Sequence, residues 1–395
     1  MLPSIFQKAA NIISILEENH FEAYFVGGCV RDYITGRPIH DVDIASSALP
    51  SEIQEIFPKV IPVGLEHGTV IVRYEQESFE VTTYRTEGEY SDHRRPDEVH
   101  FVRDIKEDLK RRDFTMNAIA MDMNGKILDP FGGKQAIASG RIQTVGNAVD
   151  RFEEDALRII RALRFCSQLG FTIEENTKQA MQRCGALIDY LAVERLTVEL
   201  EKMVAGTYFK RAVDDIFELA LYHYLPIFKA EPSLLKELEP VSSLAPVFAF
   251  VELKNTGITA AACTKAYKCS NQLKQQANNL VDAYHLYKKS GIDAWFVYQL
   301  PKEQWDDFVY LVKQIDQHTI DRQELYFIRE KLPILSKKEL CVNGHDIMEW
   351  FPERPKGKWI KDILDKIEYH IVISKLANEK SKIKEWIQWN LPAQS

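Results

Sequence analysis

Apolar and polar positions follow two different patterns along this chain, and the change comes near residue 150. Up to about residue 140, short apolar runs with strand spacing alternate with helical segments, and the strands are expected to include residues 21–26 and 41–44. Asn124-Gly125 between two apolar runs predicts a hairpin. From Phe152 onward, apolar residues recur mostly at helical spacing. The pattern predicts an α+β head, a small mixed β-sheet with helices, followed by an all-α remainder.

Glycine and proline residues divide the chain further, with breaks near Gly140, Gly206 and Pro333 among others. We expect four parts, which we call the head, the neck, the body and the tail. They cover residues 1–140, 141–205, 206–325 and 326–395.

Composition narrows the class of protein without identifying it. The 395 residues are 45% hydrophobic and 27% charged, as in ordinary globular proteins. The net charge of −8 argues mildly against a nucleic-acid partner, but the local distribution of charge matters more than its sum. Clustered arginines and lysines could form a basic track on one face.

Location is also predicted from composition. No apolar run approaches the roughly 20 residues of a membrane span, and the opening helix lacks the basic start of a secretory leader. Six cysteines occur without a Cys-x-x-Cys pair, which is typical of reduced thiols. We therefore expect a cytoplasmic protein with no membrane partner.

A glycine turn between a predicted strand and a predicted helix is the first candidate for binding chemistry. Gly27-Gly28 ends the strand, and the helix start that follows presents backbone N–H groups and a positive dipole end. Arg31 can add a forked cationic contact. Together these groups would suit a triphosphate.

Two aspartates on the next predicted strand are the first candidate for metal binding. Asp41 and Asp43 are two residues apart, so a strand would place both carboxylates on one face, where they would suit a hard divalent cation. Glu80, on a later strand, could be a third ligand or a base for an attacking hydroxyl. A solvent-facing strand glutamate is the alternative for Glu80.

Two further pairs of acids and arginines could contact a nucleotide. Arg112-Asp113, at the start of a helix expected over residues 111–118, could hold phosphates and a ribose, or form an internal salt bridge. Asp155 and Arg158 lie three apart on a predicted helix and share one face. An acceptor beside a donor matches the amino group and ring nitrogen of cytosine and adenine, and opposes uracil and guanine. A surface ion pair is the alternative.

The string over residues 27–45 reads GGCVRDYITGRPIHDVDIA and resembles the signature of the polymerase-beta-like nucleotidyltransferase superfamily, in its class II branch of tRNA nucleotidyltransferases and bacterial poly(A) polymerases. The resemblance implies a polymerase-beta-like nucleotidyltransferase head. It also implies that Asp41 and Asp43 are catalytic and bind Mg²⁺, and that Glu80 is the third acid. The neck would select the nucleobase, and the tail would bind tRNA.

The same resemblance implies a set of nucleotide contacts for ATP and CTP. Asp113 would help to select ribose, Asp155 and Arg158 would form a protein template for the base, and Arg161 and Arg164 would contact the incoming nucleotide. The implied nucleotide-binding residues are Gly28, Arg31, Arg112, Asp113, Asp155, Arg158, Arg161 and Arg164.

A polar loop separates the possible activities within this family. Residues 84–96, YRTEGEYSDHRRP, are similar to the flexible loop of complete CCA-adding enzymes. This implies template-independent addition of C, C and A to the 3′ end of tRNA from CTP and ATP, with release of pyrophosphate. The expected partners are the 3′ end and acceptor arm of tRNA, with no protein partner evident.

Two other functions remain open at this stage. A bacterial poly(A) polymerase would share the head motifs. A non-catalytic RNA-binding protein on the same scaffold would be expected to have lost Asp41 or Asp43, and both are present.

Overall fold

The computed structural model describes residues 2–88, 98–254 and 257–390. The chain forms two compact units, Met1–Pro240 and Val241–Ser395. Among the described residues, no helix has the length and apolar composition that spanning a bilayer requires.

Among the residues that the structure describes, all strands lie in the first unit. In chain order they are β1 (Ala23–Val26), β2 (Asp43–Ser46), β3 (Val60–Gly64), β4 (Thr69–Tyr74), β5 (Glu77–Thr83), β6 (Arg85–Glu87), β7 (Val99–Phe101), β8 (Ala120–Met121), β9 (Ile127–Leu128), β10 (Arg141–Ile142) and β11 (Thr172–Ile173).

Seven strands form one mixed sheet in the order β3-β4-β5-β2-β1-β8-β9. β2 and β5 run parallel, and their register pairs Asp43 with Glu80, while the other neighbours are antiparallel. Ile44 and Val81, the next residues on the two strands, are buried. Because side chains alternate along a strand, burying these two residues turns the two acids away from the core.

The α-helices of the first unit surround this sheet and continue beyond it. They are α1 (Ser4–Glu18), α2 (Gly28–Thr35), α3 (Pro50–Ile56), α4 (Ile105–Lys110), α5 (Gly133–Ala138), α6 (Ala148–Glu154), α7 (Leu157–Leu169), α8 (Glu175–Cys184), α9 (Val193–Val204), α10 (Phe209–Glu218) and α11 (Ser233–Glu237).

Helix α1 packs onto the sheet through one apolar face. Phe6, Ile13 and Leu16 are fully buried, at a spacing that places them on one side of a helix. The Phe6 ring meets the ring of Phe25 on β1 edge to face, with 4.8 Å between the centroids. This contact fixes the strand that leads into the glycine turn.

The second unit is helical throughout its described residues. Its α-helices are α12 (Leu244–Leu253), α13 (Ala260–Ala266), α14 (Asn271–Ser290), α15 (Ala294–Gln299), α16 (Trp305–Asp316), α17 (Arg322–Glu330), α18 (Gly344–Trp350), α19 (Lys358–Val372) and α20 (Lys380–Asn390). Helix α12 is buried on nearly all sides. Isoleucines such as Ile347, Ile367 and Ile383 form the core of the last three helices.

The structure confirms the predicted fold class, a mixed-sheet head followed by helices. The hairpin at Asn124-Gly125 is also confirmed, since β8 pairs with β9 and Gly125 has the positive φ that such a turn needs. The four-part division of the chain stays a prediction.

Three local predictions were wrong. The strand expected over residues 41–44 begins at Asp43, so Asp41 precedes it. The helix expected over residues 111–118 is absent: α4 has ended, Phe114 is extended and bridges to Thr144, and only a short 3₁₀ turn, Thr115–Asn117, follows. Asp155 lies outside the predicted helix, in the break between α6 and α7.

Candidate active site

A cleft of about 660 Å³ in the first unit brings the predicted site residues together. Its lining comes from the sheet on one side and from helices α7 and α9 on the other. The predicted residues that line it are Gly28, Arg31, Asp43, Glu80, Arg112, Asp113, Asp155, Arg158, Arg161 and Arg164. Asp41 is not in the lining.

The acidic side of the cleft consists of Asp43 and Glu80 on neighbouring strands, with Asp41 just before β2. All three side chains are exposed. No hydrogen bond or ion pair joins the Asp43 or Glu80 carboxylate to another residue within the described ranges. Two directly paired strand positions thus present adjacent acids to the cleft.

The surroundings of Asp43 and Glu80 disfavour the ionised form of each carboxyl group. Desolvation by the surrounding protein raises the pKa of Asp43. The positive charge of Arg112 lowers that pKa, and the negative charge of Asp41 raises it further. Desolvation also raises the pKa of Glu80, and the charges of Asp43 and Asp41 raise it further. A cation between the carboxylates would relieve the repulsion.

The donor set suits a hard divalent cation, because carboxylate oxygens are what such ions prefer. The resemblance found in the sequence implies the same kind of cation. Within residues 2–88, 98–254 and 257–390, no three acidic, histidine or cysteine side chains already converge as a metal site. The fit therefore rests on the paired register of Asp43 and Glu80 and on their mutual repulsion with Asp41.

The glycine turn lies at the floor of the cleft. Gly27 has φ of +76°, and a Cβ atom there would lie only 2.8 Å from Arg112 Nη1. The positive φ is the reason that this position favours glycine, since the flexible end of the Arg112 side chain can shift away from an added Cβ atom. The Gly27 N–H donates to the Ile119 carbonyl at 3.2 Å, so the N–H groups that face a ligand begin with Gly28, at the start of α2.

Arg31 is fixed from two directions. Its Nε and Nη2 donate to the two carboxylate oxygens of Asp32, each at 3.0 Å. Its Nη1 donates to Asn117 Oδ1 at 2.7 Å. The guanidinium is buried and cannot swing freely, so its place in the cleft is set before any ligand arrives.

Asp113 forms a salt bridge, which the sequence analysis considered, but its partner is Arg161 on α7. Arg161 Nε and Nη2 donate to Asp113 Oδ2 at 2.8 and 2.6 Å. Burial alone would raise the pKa of Asp113, but Arg161, Asn117 and the Phe114 N–H outweigh it and lower the pKa to about 2. Asp113 is therefore a fixed carboxylate at neutral pH.

Asp155 and Arg158 both reach the cleft, but they pair with other groups. Arg195 Nη2 and Nη1, on α9, donate to the two Asp155 oxygens at 2.7 and 3.2 Å. The N–H of Leu157, the first residue of α7, donates to Asp155 Oδ1 at 3.1 Å. These contacts hold the carboxylate in one orientation.

Arg158 is anchored by the segment before α7. Its Nη1 donates to Glu154 Oε2 at 2.5 Å and to the Arg151 carbonyl at 3.1 Å. Its Nη2 donates to the Arg111 carbonyl at 3.1 Å. The guanidinium is thus oriented by backbone carbonyls and one acid rather than by Asp155.

Glu199 on α9 holds the next two arginines of α7. Its carboxylate lies 3.6 Å from Arg161 and 2.7 Å from Arg164. Burial lowers the pKa of Arg164 to about 10, with a further lowering by Arg161 and an opposing effect of Glu199. Three guanidinium groups, those of Arg31, Arg161 and Arg164, lie over the Phe165 ring at 5.3, 5.5 and 4.0 Å.

The predicted nucleotide-binding residues do not include Asn117, Phe165, Arg195 or Glu199. Arg195 and Glu199 lie in a segment that resembles a family motif, and a structural role was predicted for that segment. Asn117 lies four residues after Asp113, within local hydrogen-bonding reach. Arg195 and Glu199 lie four apart on one helix, as residues sharing a face do. The sequence around Phe165 does not indicate a role in the site, apart from its position next to the arginines of α7.

The segment predicted to form a flexible polar loop begins beside the cleft. Arg85 and Glu87 on β6 are joined by hydrogen bonds, and Arg111 Nη1 donates to the same Glu87 oxygen at 3.0 Å. Arg111 also contacts buried Asp108. The root of the loop is therefore tied to α4. Residues 89–96, the rest of the predicted loop, lie outside the described residues.

Chemically, the cleft combines an acidic edge with a wall of arginines. Carboxylates suit a cation, and guanidinium groups suit phosphates. The walls also offer acceptors and donors suited to sugar and base groups. This combination fits a nucleoside triphosphate bound with a divalent cation.

Known families match three stretches of the chain. A family model described as the poly A polymerase head domain matches residues 23–143. One described as a probable RNA and SrmB-binding site of polymerase A matches residues 170–231, and one described as tRNA nucleotidyltransferase domain 2 (putative) matches residues 245–387. The first match contains the glycine turn and the acids.

Whole-chain relatives are more specific. A CCA-adding enzyme of Oceanobacillus iheyensis is 49% identical over 99% of both chains. A CCA-adding enzyme of Bacillus cereus (strain AH187) is 43% identical over 97% of this chain and 98% of its own. The crystal structure of a Bacillus stearothermophilus CCA-adding enzyme in complex with CTP is 37% identical, covers 98% of both chains and superposes with a TM-score of 0.84. By whole-length identity and by fold, this chain belongs to the family of CCA-adding enzymes.

Proposed function

We propose that this chain adds C, C and A to the 3′ end of tRNA, using CTP and ATP and releasing pyrophosphate. The observation that carries the proposal is the cleft itself, which joins the paired acids of the sheet to the arginines and acids of α7 and α9. Relatives that match nearly the whole chain are CCA-adding enzymes, and a similar solved structure, from Bacillus stearothermophilus, is a complex with CTP.

Asp41 and Asp43 would hold magnesium, with Glu80 beside them. When bound, magnesium supplies positive charge at the phosphates and lowers the pKa of an attacking hydroxyl. Glu80 would accept the proton of the RNA 3′-hydroxyl or complete the ligand set. Its strand position directly opposite Asp43 supports either role.

The triphosphate would lie across the start of α2. Gly28 and the following N–H groups, with Arg31 and Arg112, would bind its oxygens and hold the α-phosphate in line with the attacking hydroxyl. Arg112 is drawn toward this site by buried Asp108. Asp113, ionised and fixed by Arg161, would accept a hydrogen bond from the ribose 2′-hydroxyl.

Base selection would fall to Asp155 and Arg158. Asp155, oriented by Arg195, offers an acceptor to the amino groups of cytosine and adenine, and Arg158 offers donors to the adjacent ring nitrogen. Uracil and guanine would meet a carboxylate with a carbonyl, and such a buried polar mismatch costs about 1–3 kcal/mol. No nucleic-acid template is needed for this choice. Arg161 and Arg164 would contact the same nucleotide.

A bacterial poly(A) polymerase is the competing function, since its head is similar. The whole-length relatives favour CCA addition. A non-catalytic RNA-binding protein is disfavoured because Asp41, Asp43 and Glu80 are all present and unobstructed. A cytoplasmic location stays a prediction from the pattern of cysteines.

The test is incorporation by the purified full chain on tRNA lacking its 3′ end, with magnesium and each labelled nucleotide alone or combined. CTP alone should add two C residues, and CTP with ATP should add C, C and A and then stop. Addition of long A tracts from ATP alone would move the assignment to poly(A) polymerase. A completed tRNA ending in CCA serves as the control and should accept nothing.

A further inference from the structure

One buried asparagine links the two walls of the cleft. Arg31, Asn117 and Asp113 are only 8%, 7% and 8% exposed. Arg31 Nη1 donates to Asn117 Oδ1 at 2.7 Å, and Asn117 Nδ2 donates to Asp113 Oδ1 at 3.2 Å. Arg161 holds the other Asp113 oxygen. A continuous series of side-chain hydrogen bonds therefore runs from α2 of the head to α7.

Only an amide of this length serves both neighbours. Its oxygen faces a guanidinium, which can only donate, and its nitrogen faces a carboxylate, which can only accept. An aspartate would face Asp113 with like charge, and an apolar side chain would leave two buried polar groups without this contact. The 3₁₀ turn Thr115–Asn117 places the amide there, and its own backbone is tied by the Asn117 N–H to the Phe114 carbonyl at 2.9 Å.

The link also determines which Arg31 donors remain. A guanidinium has five N–H groups. Within the described residues, Asp32 takes one from Nε and one from Nη2, and Asn117 takes one from Nη1. One N–H is left on each terminal nitrogen, and both can bind an anion such as a phosphate.

We propose that Asn117 is a positioning residue that sets the phosphate-binding Arg31 and the ribose-binding Asp113 at a fixed spacing, so that triphosphate binding and ribose selection are coupled. The inference deepens the proposed function and rests on it for the roles of Arg31 and Asp113. Asn117 acts through its two neighbours and need not touch the nucleotide.

The test measures equilibrium binding of CTP, dCTP and inorganic pyrophosphate to the full-length chain, without tRNA. Asn117→Ala and the nearly isosteric Asn117→Leu should each weaken pyrophosphate binding and lower the preference for CTP over dCTP by about tenfold, the value of one charged hydrogen bond. Leucine fills the space, so agreement between the two variants would assign the loss to hydrogen bonding rather than packing.

A double-mutant cycle with Arg31→Lys examines the coupling. If Asn117 acts through Arg31, Asn117→Ala should weaken pyrophosphate binding much less in the Arg31→Lys background than in the wild type. Additive losses would overturn the proposal.

Asn147→Ala is the matched control. Asn147 caps α6 by accepting from the Val149 N–H at 2.9 Å, so its loss weakens the fold without touching this series. It should leave the CTP to dCTP ratio unchanged. An unchanged ratio in folded Asn117→Ala, or a wild type that binds both nucleotides equally, would also overturn the proposal. Failure to add CCA to tRNA would instead refute the proposed function, because the binding ratio is read without tRNA.

Discussion

The two walls of the cleft differ in how far their charges are already paired. On the sheet side, the Asp43 and Glu80 carboxylates have no hydrogen-bond or ion-pair partner among the residues that the structure describes. On the helical side, Arg158, Arg161 and Arg164 each contact an acid. The sheet side therefore carries carboxylates that repel one another, whereas the helical side carries arginines that acidic partners hold in place.

This difference indicates a division of work. Paired guanidinium groups need little reorganisation when a nucleotide arrives, which is how a preorganised site stabilises charge. The acidic wall instead lowers the stability of the protein until a cation binds. Function and stability should therefore respond in opposite directions on the acidic wall and in the same direction on the arginine wall.

The largest effect is expected from Asp43→Asn. Loss of a carboxylate that holds a catalytic cation removes several kcal/mol of charge stabilisation, so the rate of nucleotide incorporation should fall by about 10³-fold or more. Because desolvation and Asp41 disfavour the ionised form, the free energy of unfolding should stay the same or rise. Single-turnover incorporation and denaturant unfolding measure the two quantities.

Glu77→Gln is the control for that substitution. Glu77 lies on β5, the strand of Glu80, but its carboxylate contacts Lys8 away from the cleft. It should leave incorporation nearly unchanged. Full activity of Asp43→Asn, or a marked loss of its stability, would contradict the contrast between the walls.

A smaller effect is expected from Arg195→Met on the arginine wall. The change keeps much of the side-chain volume but removes both hydrogen bonds to Asp155. A hydrogen bond between charged groups contributes about 1.5–3 kcal/mol. We expect kcat/KM for CTP and ATP to fall by about 10–100-fold, with more misincorporation of UTP and a lower free energy of unfolding. Competition between labelled CTP and UTP measures the discrimination.

Arg183→Met provides the comparison, since Arg183 is an exposed arginine of α8 outside the cleft. It should change neither discrimination nor stability appreciably. If Arg195→Met lowered stability but left the CTP to UTP ratio intact, Arg195 would brace the fold without orienting Asp155.

Features set by short-range spacing were predictable from the sequence. Asp43, the glycine turn and Arg31 lie within one strand–turn–helix–strand segment, so their relation follows from local geometry. Asp41 was expected on the same strand as Asp43 and instead precedes it. The hydrophobic periods likewise predicted the mixed sheet and the helical remainder, because burial of apolar faces decides both.

The pairing of charges across the cleft could not be predicted in the same way. Arg195, 40 residues away, binds Asp155, and Arg161, 48 residues away, binds Asp113. The arginines nearest in sequence, Arg158 and Arg112, pair with other acids. Those choices depend on how α7 and α9 pack. The break before α7 was missed because helix-like spacing does not distinguish a residue that continues a helix from one that lies between two helices, as Asp155 does.

The smallest expected effect is a pH-dependent gain in stability from Glu80→Gln. The folded-state pKa of Glu80 is raised above 4.5, first by desolvation and then by Asp43 and Asp41, so the native state binds this proton more tightly than the unfolded state. The wild type should therefore lose stability relative to Glu80→Gln as the pH rises through 4.5 and the folded-state pKa. Allowing for solvent screening at this exposed acid, the difference should be about 0.5 kcal/mol at neutral pH.

Magnesium should reverse that difference, because a cation bound by the acids stabilises the wild type more than the variant. Urea unfolding from pH 4 to pH 8, with and without magnesium, measures both effects, and Glu77→Gln again serves as the control. A difference that is independent of pH, or a variant less stable than the wild type without magnesium, would mean that the repulsion at Glu80 is already relieved within the protein. The charges of both walls would then be paired within the protein, and the raised pKa of Glu80 would no longer indicate a carboxylate that needs a cation to relieve repulsion.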